Sequence, residues 1–121
     1  MRSSVKYFTP EEANQTLPLV RRIVSDILKT GKEIRGLSLE GSKRPGAETE
    51  LHRFMDQLDE LFEELESLGC SYKDWNFSEG LVDFPALVGG QEVFLCWRSD
   101  EPEVRYYHDL ESGFAGRKPI Q

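Results

Sequence analysis

Apolar side chains recur at alternating spacings of three and four residues in two stretches of the first half of the chain. This spacing is typical of a helix that packs against another helix. The segment between the two stretches, residues 36–50, is rich in Gly, Ser and Pro and indicates a connection. The pattern predicts an antiparallel helical hairpin with a heptad-like, coiled-coil seam. The seam positions are Leu17, Val20, Val24, Ile27, Gly31 and Ile34, then Leu51, Phe54, Leu58, Leu61, Leu65 and Leu68.

The start of the first helix has a clear local signal. Thr9 is a good N-cap, Pro10 suits the first helical position, and Glu12 stands where its carboxylate reaches back to the Thr9 amide. We therefore expect a helix to begin at this point.

Two further residues predict interruptions of the helical pattern. Pro18 lacks an N–H and disfavours helix at the residue before it, so we expect a short helix that ends near Gln15 and a new one that Thr16 caps. The last helix should open around Glu48 or Thr49 and end at Gly69, because glycine is common just past a helix.

After Cys70 the apolar period falls from about 3.5 to 2, which predicts strands. The segments "VGGQ" and "SDEP" supply turns between them. The predicted fold class is α+β, with an N-terminal helical hairpin packed on a small C-terminal antiparallel β-meander. We expect one domain over residues 1–121, divided into the hairpin (1–69) and the sheet with its tail (70–121). The predicted strands are Leu81–Phe84, Glu92–Arg98 and Glu103–Asp109, with an extra strand or turn at Tyr72–Trp75.

The two predicted long helices carry opposite charge. Residues 18–35 hold five basic and two acidic side chains, whereas residues 48–66 hold eight acidic side chains and one arginine. Opposite charges on the flanks of a seam favour pairing, and like charges oppose it. The basic helix should therefore pair with the acidic one, whose carboxylates are expected to form a solvated face.

Composition narrows the classes of partner. The net charge of −7 repels phosphate backbones, so we expect no nucleic-acid partner. No run of about 18 apolar residues and no signal-peptide core occurs, which predicts a cytoplasmic protein without a membrane span. Cys70 and Cys96 have neither a zinc-site nor a redox-pair spacing, and a reducing cytosol would keep them as thiols.

The pairing of the last two strands decides which side chains share a face. If "SDEP" closes a hairpin with Arg98 opposite Glu103, these two residues form an ion pair and Cys96 lies opposite Arg105. Cys96 and His108 then point to opposite faces. Metal ligands must converge on one ion, so this register excludes a Cys96–His108 zinc site or a nucleophile–base pair unless a bulge shifts the register by one residue.

Asp83 interrupts the apolar run "GLVDFPAL", and a buried carboxylate is costly unless it is paired. Arg117, Arg105 or His108 could pair with it, either as a structural ion pair or in a polar pocket that binds a small ligand. In the tail, "DLESGFAGR", two glycines flank Phe114, which should bury this ring and deliver Arg117 to a defined place. An anion site at Arg117 is the alternative.

The chain resembles a known family in several segments. They are "YFTPEEANQTLPLVRRI", "LVDFPA", "LCW" and "GFAGR", and they are similar to the prokaryotic family catalogued as domain of unknown function 2203. The resemblance extends over nearly the whole chain. It implies a bacterial, cytoplasmic, single-domain protein, and it implies no substrate, cofactor or catalytic residue.

The sequence leaves three classes of function open. The preferred one is a protein-interaction or scaffold domain that self-associates as a dimer through its helical hairpin, or that binds a helical partner. Its basis is a second apolar stripe, formed by Ile23, Leu28, Met55 and Phe62.

The second class is a small-ligand or metal-binding protein, and the third is an enzyme. The binder would use a polar pocket at Asp83, His108, Arg117 and Glu101. No GxSxG, P-loop, HExxH or Rossmann motif occurs, so the sequence indicates no catalytic residue and no particular cofactor.

Overall fold

The computed structural model describes residues 6–40, 45–74 and 76–120. Two helices, α1 (Pro10–Glu40) and α2 (Ala47–Leu68), precede an antiparallel sheet whose strands lie in chain order. This arrangement confirms the predicted α+β fold. The strands are β1 (Ser71–Tyr72), β2 (Leu81–Val88), β3 (Gln91–Arg98), β4 (Tyr106–Asp109) and β5 (Lys118–Pro119), with a short 3₁₀ turn at Phe114–Gly116.

Helix α1 begins as predicted but does not break. The Thr9 hydroxyl accepts a hydrogen bond from the Glu12 N–H (3.1 Å), and the Glu12 carboxylate accepts one from the Thr9 N–H (2.9 Å). The helix then continues through Pro18, so the predicted interruption was wrong. Its first two turns bury Ala13 and Leu17 in the core, and this packing offsets the one backbone hydrogen bond that proline removes.

The two helices pack side by side and cover one face of the sheet. Leu17, Val24 and Leu65 belong to one continuous core with residues of β2 and β3. Helix α2 ends where the sequence predicted, because Gly69 takes a positive φ of 101° and its N–H donates to the Glu66 carbonyl. Gly31, the one seam position without an apolar side chain, lies under the Phe77 ring, where a Cβ atom would come within 2.7 Å of the ring.

The second apolar stripe of the hairpin is used largely within the chain itself. Ile23 is buried in the shared core, and Leu28 and Phe62 pack against it. The Phe62 ring stacks on Tyr72 of β1 at a centroid distance of 5.6 Å. Met55 remains exposed. Two stripes are therefore needed here because each helix contacts both its neighbour and the sheet.

Strand β2 extends four residues beyond its predicted end at Phe84, through Pro85. A proline inside a strand leaves one ladder hydrogen bond unmade. Strand β1 covers only Val82 and Asp83, and further along the Phe8 N–H donates to the Pro85 carbonyl (2.7 Å). The nitrogen of Pro85 thus faces the uncovered side of β2, where no strand needs its N–H. The predicted turn at Gly89 and Gly90 is confirmed, with both residues at positive φ.

The connection between β3 and β4 is longer than predicted, and this shifts the register by one residue. Cys96 pairs with Tyr106 and Phe94 pairs with His108, so the prediction that Cys96 lies opposite Arg105 was wrong. Val104 leaves the ladder because its side chain enters the core and its N–H donates to the Asn14 side chain of α1 (2.7 Å).

The predicted ion pair of the hairpin was also wrong. Arg98 binds Asp100 (2.6 Å), and Glu103 binds Arg105 (3.0 Å) instead. Strand β4 begins only at Tyr106, since residues 99–105 form a turn that places Val104 against the helices. Among the described residues no helix has both the length and the apolar character needed to cross a bilayer.

Candidate metal centre

The face of the sheet that points away from the helices holds three buried polar side chains. Asp83 of β2 and Cys96 of β3 are direct cross-strand neighbours. His108 of β4 pairs with Phe94, so it projects to the same face as Cys96. Only 5% of Asp83, 1% of Cys96 and 3% of His108 is exposed. The sequence placed Cys96 and His108 on opposite faces, and the one-residue shift of register described above corrects that prediction.

The three side chains converge on one point. The Asp83 Oδ1 and His108 Nε2 atoms lie 3.1 Å apart. One donor atom from each of Asp83, Cys96 and His108 falls within 4.8 Å of the other two. Among the three partners considered for Asp83 in the sequence, the structure selects His108.

The backbone fixes the orientation of the imidazole. His108 Nδ1 lies 2.7 Å from the carbonyl oxygen of Asp109, and a carbonyl oxygen only accepts hydrogen bonds. Nδ1 therefore carries the proton, and Nε2 faces Asp83 and Cys96. A histidine that ligates a metal is commonly held in this way by a backbone carbonyl on its other nitrogen.

Burial changes the acidity of both anionic groups. Removal from water raises the pKa of Asp83 above its usual range, and the neighbouring His108 only partly offsets this effect. The pKa of the Cys96 thiol rises to about 12, first because of burial and second because of the Asp83 carboxylate beside it. A nucleophilic cysteine needs a lowered pKa, so Cys96 is unsuited to covalent catalysis. A metal cation, in contrast, would stabilise both anions at once.

Arg117 and Glu101 form a second polar pair next to this centre. The Arg117 Nη2 atom lies 2.6 Å from both carboxylate oxygens of Glu101 and donates to the Cys96 carbonyl at 3.3 Å. The guanidinium lies over the rings of Tyr106 (4.1 Å) and Phe114 (4.6 Å). The tail thus delivers Arg117 to a defined place, as predicted, but Phe114 stays 38% exposed, so the predicted burial of its ring was wrong.

The four residues proposed from the sequence are therefore divided into two pairs. Asp83 binds His108, and Glu101 binds Arg117. Cys96 connects the two pairs. Its thiol lies beside Asp83 and His108, and its carbonyl oxygen accepts a hydrogen bond from Arg117. The sequence prediction excluded Cys96 from the site because the assumed register placed it on the face opposite His108, and the signal in its favour was the named exception, a shift of that register by one residue.

A cleft of about 300 Å³ opens above the three converging side chains. Its walls come from β2, β3 and β4, from Lys73 just after β1 and from the tail that follows β4. Apolar wall residues are Leu81, Phe94, Leu110 and Phe114, and the charged ones are Lys73 and Glu111. The centre is thus buried in the sheet but faces a space in which a small molecule can lie.

Comparison with known proteins gives a family without a described activity. No curated protein and no solved structure matches the chain. Residues 6–120 match the family described as "Uncharacterized conserved protein (DUF2203)". This match spans nearly all of the 121 residues, and the chain therefore belongs to the DUF2203 family.

Proposed function

We propose that this protein binds a divalent transition metal ion, with zinc as the best fit, through Asp83 Oδ1, Cys96 Sγ and His108 Nε2. The observation that carries the proposal is the convergence of these three donor atoms, all within 4.8 Å of one another, at buried positions of three adjacent strands.

The geometry is close to that of a tetrahedral zinc site. Zinc bonds of about 2.0 Å to nitrogen and oxygen and about 2.3 Å to sulfur place ligand atoms about 3.3–3.6 Å apart. The 3.1 Å between Asp83 and His108 is near this value, and the distances from Cys96 need to shorten by about 1.5 Å at most to satisfy it.

The charges and the donor types support the same ion. A divalent cation with one carboxylate and one thiolate leaves a neutral buried centre, which removes the cost of burying either anion alone. Thiolate and imidazole ligands favour zinc and similar metals over magnesium or calcium, which prefer oxygen. Three protein ligands also leave a fourth position open, as in zinc sites that bind an exchangeable ligand.

Cobalt spectroscopy gives a direct test. We expect Co²⁺ to bind in a 1:1 ratio with a sulfur-to-cobalt charge-transfer band and visible bands typical of tetrahedral coordination. Cys96→Ser should remove the charge-transfer band and weaken zinc binding by more than about 100-fold, since loss of an outer partner alone commonly costs about 10- to 100-fold.

Cys70→Ser is the matched control. Cys70 is also buried, but its thiol donates to the Leu65 carbonyl and belongs to no cluster of metal-ligating side chains in the described part of the chain. The Cys70 variant should keep both the spectrum and the affinity. Absence of stoichiometric metal binding, or an equal loss in both variants, would contradict the proposal.

The helical hairpin supports a second proposal, that it binds a helical protein partner. A groove of about 580 Å³ between α1 and α2 has Phe54 and Leu61 among its lining residues. Its charged lining consists of Asp26, Glu33, Glu60 and Glu64 against Lys29. This combination of apolar and acidic groups fits a basic amphipathic helix.

A pair of variants tests the groove. A synthetic amphipathic Leu/Lys peptide should bind in a fluorescence-anisotropy titration, and added salt should weaken it. Glu60→Lys should reduce binding, whereas Glu63→Lys, outside the groove lining, should not to the same degree. No binding, or equal loss in both variants, would exclude this partner.

Self-association of the hairpin stays a prediction. The exposed Met55 and Leu19 support it, while the acidic lining of the groove disfavours contact between two copies at that place. Sedimentation at tens of micromolar distinguishes a dimer from a monomer.

A further inference from the structure

The cleft above the proposed metal centre has features that select a class of ligand, and this inference rests on the proposed function. The three ligating side chains form part of its lining, so the open coordination position of the ion faces the cleft. At about 300 Å³ the cleft is at the small end of the range for small-molecule sites. Its occupant is therefore a small molecule.

Lys73 supplies a positive charge beside the centre. Its ammonium lies over the Phe94 ring, 5.7 Å from the centroid, and it is close enough to Asp83 to act on that carboxylate electrostatically. Among the described residues, no carboxylate lies within 4.0 Å of the Lys73 nitrogen. An ammonium at this position can pair with an anionic ligand that also binds the metal.

The charge of the surroundings favours a monoanion over a dianion. The ion with Asp83 and Cys96 is neutral, and among the remaining cleft residues Glu111 balances Lys73. A dianion, which is the main form of inorganic phosphate above neutral pH, would leave two charges uncompensated next to apolar walls, whereas a monoanion leaves one, and each such charge is costly. A monoanion places one charge between the metal and Lys73.

The cleft walls indicate the chemistry of the uncharged part of the ligand. Phe94, Leu110 and Phe114 line the space beside the metal, with Leu110 49% and Phe114 38% exposed, and the Arg98 guanidinium, already paired with Asp100, lies 5.4 Å from the centroid of the Phe114 ring. The side chains of Phe94, Leu110 and Phe114 offer apolar contacts and no hydrogen-bonding group of their own. We propose that the metal centre binds a small monocarboxylic acid, with its carboxylate on the metal and Lys73 and its aliphatic or aromatic body between Phe94, Leu110 and Phe114.

Benzoate is a suitable probe for the Co²⁺-loaded protein. We expect it to change the visible cobalt bands saturably, while benzamide, the neutral molecule of the same shape, and inorganic phosphate change them much less. Lys73→Met should weaken benzoate about tenfold or more, because one charge-assisted contact is lost. Lys32→Met removes an exposed lysine of α1 outside the cleft and should have no effect.

A second variant separates the apolar wall from the charge. Phe114→Ala should weaken benzoate more than acetate, because acetate has no aromatic ring to contact the Phe114 side chain. Equal binding of benzamide or phosphate, or cobalt bands that benzoate does not alter, would overturn the monocarboxylate proposal and leave the metal site intact. If the protein binds no cobalt at all, the proposed function fails first and this inference fails with it.

Discussion

The two faces of the sheet differ in chemistry although the same three strands form both. The face toward the helices carries Val82, Phe84, Leu95 and Trp97, all buried and all contacting one apolar core. The opposite face carries Asp83, Cys96 and His108, which are equally buried but polar. Alternation along a strand puts one residue on each face in turn, so the two chemistries are only one position apart in the sequence.

The two faces therefore have different roles: the apolar face stabilises the fold, and the polar face carries the proposed metal site. Burial of apolar area stabilises the first face without any ligand. The second face buries a carboxylate and a thiol whose charged forms are unfavourable there, and the tail that covers it is held by the Arg117–Glu101 pair. Burial of these two groups costs free energy of folding, and a bound cation would offset that cost by neutralising their negative charges.

The largest expected effect is on the apolar face. Phe84 is fully buried and meets Phe8 edge to face, with ring centroids 5.2 Å apart. Phe84→Ala should lower the free energy of unfolding by about 3–5 kcal/mol, because it removes transfer energy and leaves a cavity. Urea unfolding followed by tryptophan fluorescence measures this loss. A loss as small as that of a surface substitution would show that this face is not the stabilising one.

On the polar face the next largest effect is expected at Glu101. Glu101→Gln leaves the largely buried Arg117 guanidinium, whose side chain is 11% exposed, without a carboxylate, and we expect a loss of about 1.5–3 kcal/mol in the free energy of unfolding. Glu103→Gln, at an exposed pair, is the matched control and should cost less than about 1 kcal/mol. The same urea titration compares the two variants, and equal losses would contradict the importance of burial.

In the metal-free protein, replacement of Asp83 should raise the free energy of unfolding, whereas replacement of Glu101 lowers it. Its folded pKa is raised, so its contribution to stability is present below the usual aspartate pKa of 3.8 and is lost as the pH rises through the folded value. In the presence of a chelator, Asp83→Asn should therefore match the wild type near pH 3 and be more stable at pH 7.

With zinc bound, the wild type should become more stable than Asp83→Asn. At a free concentration about 100 times its Kd, zinc stabilises the wild type by about 2.7 kcal/mol, and it should stabilise the Asn variant much less. Thermal unfolding with and without zinc makes the comparison. A wild type that is more stable than Asp83→Asn at pH 7 without metal would contradict the cost assigned to the buried carboxylate.

The smallest effect is expected on the outer surface of the helices. Leu19 is 45% exposed, so Leu19→Ser should change the free energy of unfolding by no more than about 0.5 kcal/mol. Sedimentation of this variant also tests the predicted dimer, because a self-associating hairpin would be weakened by loss of an exposed leucine. A larger loss of stability that depends on protein concentration would show that this leucine is covered by a second copy.

Local signals predicted much of the fold. The threonine–glutamate capping box at Thr9, the end of α2 at Gly69 and the turn at Gly89–Gly90 depend on a few neighbouring residues, and each was read correctly. The break at Pro18 was not, because the contacts that hold that helix together are with the core rather than with its own neighbours.

The candidate site was only half visible in the sequence. Asp83 stood out because it interrupts an apolar run, and His108 was among its three candidate partners. Arg117 and Glu101 were placed in the same pocket, but they bind each other. The apolar run around Asp83 shows that this carboxylate needs a partner. Which residue pairs with it depends on which strands become neighbours in the sheet.

The sequence by itself determined the two helical stripes, the change from helix to strand after Cys70 and the need to compensate Asp83, because periodicity and burial act over short distances along the chain. Only the tertiary structure decided the register of β3 and β4, through the contact of Val104 with Asn14, 90 residues earlier. Since side chains alternate with a period of two, the shift of this register by one residue put Cys96 and His108 on the same face as Asp83 and so created the candidate metal centre.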